Sequence, residues 1–92
     1  MNHAVHLLVS GRVQGVGFRF FAVHRASKYG VTGWVRNRAD GRVEVEAEGE
    51  LSRLRMFLED IRMGPSSGYV SNVAEEWQEI EAPRHRGFSI TY

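Results

Sequence analysis

The chain has 92 residues and a mass of 10.5 kDa, which is room for one small domain over residues 1–92 with one modest core. Its 42% hydrophobic and 25% charged content excludes a disordered or collagen-like chain, and no apolar run approaches the roughly 20 residues of a membrane helix. The absence of cysteine excludes disulfides, thiolate metal sites and a cysteine nucleophile, and a net charge of +1 is too small for a typical nucleic-acid binder.

The chain opens Met1-Asn2-His3-Ala4-Val5-His6, without the basic and apolar regions of a signal peptide, so a cytoplasmic protein is expected. Val5, Leu7 and Val9 alternate with His6, Leu8 and Ser10, which predicts a first strand ending near Gly11. Residues 12–17 form a glycine-rich loop. Phe18, Phe21, Ala22, Ala26 and Tyr29 then recur at helical spacing, and Gly30 supplies a left-handed stop. Val31, Gly33 and Val35 predict a second strand, and Asp40-Gly41 turns it into a third that carries Val43, Val45 and Ala47. Leu51, Leu54, Phe57, Leu58 and Ile61 mark the stripe of a second helix, closed by Gly64-Pro65. Residues 69–80 place Val73 and Trp77 on one strand face; Glu75 between them predicts a bulge or an edge position. Phe88, Ile90 and Tyr92 give a short last strand.

This order is βαββαβ plus a short extra C-terminal strand, the ferredoxin-like α+β plan of an antiparallel sheet with two helices on one face. Its crossover makes the first two strands parallel to each other, so the glycine loop and Arg36-Asn37-Arg38 should meet at one sheet edge. Charge favours the same region. Residues 1–46 hold seven Lys/Arg against three Asp/Glu, whereas 47–92 hold five against eight.

Gly15-Val16-Gly17-Phe18-Arg19 opens the first helix with no Ser, Thr, Asp or Asn at any N-cap position. Two readings compete: a tight turn with water on the free N–H groups, or a nest built around an anion such as phosphate. Arg19 tips the balance to the anion, because a cation in the first turn opposes the helix dipole by some tenths to ~1 kcal/mol unless an anion lies between them. The loop is neither a dinucleotide fingerprint, since position 20 is Phe, nor a P-loop. Asn37 continues the inward register of Gly33 and Val35, and is either a site residue or one entering the Arg38-Ala39-Asp40-Gly41 turn. His3, His6, His24 and His85 show no metal-ligand spacing, Trp34 reads as packing, and Arg84-His85-Arg86-Gly87 reads as a solvated turn. The glutamates of 75–81 read as a solvated strand face.

Gly11-Arg12-Val13-Gln14-Gly15-Val16-Gly17-Phe18-Arg19 followed by Gly33-Trp34-Val35-Arg36-Asn37 resembles the signature pair of the acylphosphatases, and Gly87-Phe88-Ser89-Ile90 extends the likeness. Residues 66–80 follow the family pattern less closely, with Gly68-Tyr69 where some members carry an arginine and Glu75 where an apolar residue is expected. The resemblance implies a ferredoxin-like enzyme that hydrolyses the carboxyl-phosphate anhydride of a small acyl phosphate, without metal, cofactor or covalent intermediate. It implies Arg19 as the phosphate-binding arginine, Asn37 as the residue orienting the attacking water, and Gln14, Gly15, Val16, Gly17 and Phe18 as the phosphate cradle. Inorganic phosphate or sulfate is then an expected ligand, with no nucleic acid or membrane partner, and the expected state is a monomer. Two other readings fit the residues less well. An RNA-recognition module needs aromatics in its third strand, which here presents glutamates; a carbamoyl-phosphate-hydrolysing unit, as in hydrogenase-maturation carbamoyltransferases, belongs to a much longer chain.

Overall fold

A computed structural model describes residues 1–92. Seven elements follow one another: β1 (Asn2–Arg12), α1 (Phe18–Tyr29), β2 (Thr32–Asn37), β3 (Val43–Glu50), α2 (Leu51–Met63), β4 (Tyr69–Ile80) and β5 (Phe88–Ile90). The two-residue period of the strands puts Val5, Leu7, Val9, Val35, Val43, Val45 and Ala47 on one sheet face, where all are fully buried. Against them lie Phe18, Ala22 and Ala26 of α1 and Leu54, Phe57, Leu58 and Ile61 of α2. At about 1.5–3 kcal/mol for each large apolar side chain taken from water, this layer holds both helices to one face of the sheet. No helix is long and apolar enough to cross a membrane.

The strand order is β4-β1-β3-β2-β5. β3 runs antiparallel to both β1 and β2, so those two are parallel to each other and end at the same sheet edge, as the connection rules require. β5 pairs parallel to β2, through Gly33 and Phe88, which makes the sheet mixed at that margin. Tyr92 was expected to continue this strand; it lies beyond it and is exposed.

Of the two positions that Glu75 predicts, a bulge or an edge, β4 takes the edge; the irregularity in its pairing lies elsewhere, at a register shift between Ser10 and Gly11, opposite Asn72 and Val70. Glu75 keeps regular pairing with Leu7 and reaches Arg62 of α2, while Trp77 Nε1 donates to it at 2.8 Å. A charge is tolerated on this helix-facing row because the strand has solvent on one side.

The segment around Arg84 is an exposed, irregular turn, as expected, but it is also tied to the sheet. The N–H groups of Arg84 and His85 donate to the Glu48 carboxylate at 2.7 and 3.2 Å, joined by the Arg84 guanidinium. Glu48 is completely buried, on the sheet face away from the helices. Burial opposes its ionisation, but the Arg84 backbone and side-chain bonds outweigh this and hold the carboxyl below its ordinary range. Glu44, also buried, is held the same way by His6 at 2.6 Å and Arg36 at 2.8 Å.

Candidate active site

The chain must turn from β1 into α1 within residues 13–17. Gly15 and Gly17 make that turn at φ +74° and +79°, a left-handed backbone that a side chain disfavours by about 1–2 kcal/mol. Gly17 flanks α1 with no side-chain cap, and the first turn holds no acidic residue. The Phe21 N–H reaches the Gly17 carbonyl at 3.0 Å, whereas the amides before it have no acceptor within the helix and lie at the positive end of its dipole.

Two ties fix the loop. Gln14 Nε2 donates to the carbonyls of Arg38 and Arg42 at 2.7 and 2.9 Å, joining the loop to the turn after β2. Ser67 Oγ donates to the Val16 carbonyl at 2.9 Å, joining it to the segment after α2. The glycine loop therefore meets residues 36–38 through a direct hydrogen bond, from Gln14 to the Arg38 carbonyl.

Asn37 ends β2, and its Oδ1 is buried with no hydrogen-bond partner. Buried polar atoms are nearly always partnered, so this oxygen is open to a ligand or a water. Asn37 lines one cleft of about 120 Å³ with Val13, Gly15, Gly17, Phe18, Arg19 and Phe20. Of the expected site residues, Arg19, Asn37, Gly15, Gly17 and Phe18 thus come together. Phe18 is 2% exposed and its ring belongs to the core, so its backbone is what it presents. Gln14 and Val16 do not line the cleft: the Gln14 amide is engaged as a tie, and the Val16 side chain leans on the core. Phe20 was not anticipated; an aromatic one position off the buried stripe of α1 was the available signal.

The charges around the cleft are unequal. Arg36 pairs with Glu44 at 2.8 Å, Arg38 with Asp40 at 3.1 Å and Arg42 with Asp40 at 2.7 Å. Hydrogen bonds from Arg42 hold the Asp40 carboxyl well below the usual carboxylate range. Arg19 has no such partner; its guanidinium lies over the Tyr92 ring, 5.6 Å from the centroid. The cleft therefore combines a cation without a carboxylate, open helix amides and an unpartnered amide oxygen. No group of three or more His, Asp or Glu side chains is placed to hold a metal ion.

The acylphosphatase family model matches residues 5–90. An acylphosphatase of Geobacillus thermodenitrificans is 46% identical over 88 residues, 96% of this chain and 93% of that protein. Among solved structures, an acylphosphatase from Bacillus subtilis superposes with a TM-score of 0.92 at 41% identity, over 98% of this chain and 99% of that one. Another, from Coxiella burnetii, does so with a TM-score of 0.86 at 37% identity, over 98% and 93%. Full-length sequence identity, the family match and the shared fold agree: this chain belongs to the acylphosphatase family, enzymes that hydrolyse acyl phosphates.

Proposed function

We propose that Arg19 and the backbone amides of the 14–18 loop bind the phosphoryl group of the acyl phosphate, and that Asn37 orients the attacking water. The observation that carries this reading is the unpartnered, buried Asn37 Oδ1 in the same cleft as Arg19 and the uncapped end of α1. The Arg19 fork grips two phosphoryl oxygens while the loop amides donate to the others. Asn37 Oδ1 accepts a hydrogen from the water and fixes its approach to phosphorus, acting by position and not as a base. The bond from phosphorus to the carboxylate oxygen breaks as the bond to the water oxygen forms, and the water's protons leave with the phosphate.

Phosphoryl transfer through a loose transition state needs placed positive charge and an aligned nucleophile more than a strong base. The leaving group is a carboxylate with an unperturbed pKa near ~4, so it departs without a general acid. The site draws on residues of one chain, and we infer that a monomer suffices.

The test is phosphate release from acetyl phosphate with a chelator present, with inorganic phosphate and sulfate as inhibitors. Undiminished turnover and competitive inhibition by both anions are expected. Loss of turnover on chelation, restored by a divalent metal, would overturn the reading.

A further inference from the structure

Two aromatic side chains beside the cleft have no place in the core: Phe20 is 71% exposed and Tyr92 is 91% exposed. They stand in different positions. Tyr92 borders a second hollow with Arg36, Asn37, Arg38 and Ala39, brought there by the Thr91 N–H, which donates to the Val35 carbonyl at 2.8 Å. Phe20 does not touch that hollow; it lines the cleft itself, next to Arg19.

Size and reaction geometry decide what each can meet. The cleft, about 120 Å³, is far below the ~300–1,000 Å³ of ordinary small-molecule pockets, so it suits the phosphoryl group and the acyl part must emerge from it. The attacking and leaving oxygens stand roughly in line across phosphorus. With the water at Asn37, the acyl group leaves on the side away from Asn37 and its shared hollow. Among the cleft residues, Val13 and Phe18 are buried and Gly15 and Gly17 carry no side chain, which leaves Phe20 as the exposed apolar side chain that an emerging acyl group can meet. It stands on the first turn of α1, on a helix fixed by the core, so its ring is presented with little ordering left to do.

We infer that Phe20 receives the acyl group and biases the enzyme toward acyl phosphates with a flat, apolar acyl part. This rests on the assignment of phosphate to Arg19 and of water to Asn37. A ring stacked or edged against Phe20 gains contact that a methyl group cannot.

The experiment compares benzoyl phosphate with acetyl phosphate in the wild type, Phe20→Ala, Phe20→Leu and Tyr92→Ala. Phe20→Ala should lower kcat/KM for benzoyl phosphate by about tenfold more than for acetyl phosphate, and Phe20→Leu should recover part of that difference. Tyr92→Ala should change both substrates by the same factor. Exposure of both residues leaves the core untouched by these substitutions. Equal losses on both substrates in Phe20→Ala, or a benzoyl-selective loss in Tyr92→Ala alone, would overturn the assignment of Phe20. Failure of the underlying reading shows elsewhere, as phosphate inhibition unaltered in Arg19→Gln.

Discussion

α1 and α2 lie on the same face of the sheet but begin differently. α2 starts at Glu50, whose carboxylate accepts from the Ser52 hydroxyl and, at 2.8 Å, from the Ser52 N–H, two bonds that pull its pKa down. α1 starts at Gly17, with no cap, no acid in its first turn, and Arg19 where an acid would be favourable. A third donor cluster, the Arg84 and His85 amides with the Arg84 guanidinium, is filled by Glu48. β3 thus supplies a carboxylate to the α2 start and to the Arg84 cluster, and none to the start of α1. A missing cap costs a helix about 1 kcal/mol; leaving α1 open at that cost, when the other clusters hold internal anions, is what the proposed phosphate site requires.

Arg19→Gln should break the contrast most severely, lowering turnover of acetyl phosphate by roughly 10³-fold or more and weakening inhibition by phosphate. Arg19→Lys should recover little, since a lysine lacks the fork. Asn37→Ala should lower kcat by roughly 10²-fold while phosphate inhibition stays near the wild-type value, because Asn37 meets the water and not the phosphate. Circular dichroism should first show both variants folded. Equal loss of phosphate affinity in the two variants would remove the distinction between their roles.

Filled clusters should answer in stability instead of turnover. Arg84→Ala should destabilise the fold by about 2 kcal/mol at pH 7, the worth of charged hydrogen bonds to a buried carboxylate. The folded-state pKa of Glu48 lies below its ordinary 4.5, so its contribution is complete above that value and is lost as pH falls through the folded one. Thermal melts should therefore show the gap between wild type and Arg84→Ala wide at neutral pH and narrowing on acidification. Smallest of all, Glu50→Ala should lower Tm by a few degrees and leave phosphate inhibition unchanged.

The apolar half of this architecture is legible in the sequence, because burial on one face imposes a period of two on Val5, Leu7, Val9, Val43, Val45 and Ala47 and a helical period on Leu54, Phe57, Leu58 and Ile61. The polar half is much less so. Glu48 occupies the alternate position of a strand, where period alone assigns a solvated side chain; its partner Arg84 is 36 residues away, and only the fold brings them together. Gln14 fails for a related reason. Its neighbours Gly15 and Gly17 place it in the loop, yet nothing local says that its amide joins the carbonyls of Arg38 and Arg42. Arg19 and Asn37 could be named because each violates a local rule, a cation at a helix start and an amide on an apolar row. Phe20 violates one too, less visibly, as an aromatic on the outward side of α1.

The central claim, that the open start of α1 is the anion site and the closed start of α2 is not, is tested most directly by following backbone amide resonances while inorganic phosphate is added. The Gly15, Val16, Gly17, Phe18 and Arg19 amides should shift and saturate together, at concentrations matching phosphate inhibition of turnover, while Ser52 and Arg53 stay in place. Parallel shifts at both helix starts, or no saturable shift in the 14–18 loop, would contradict it.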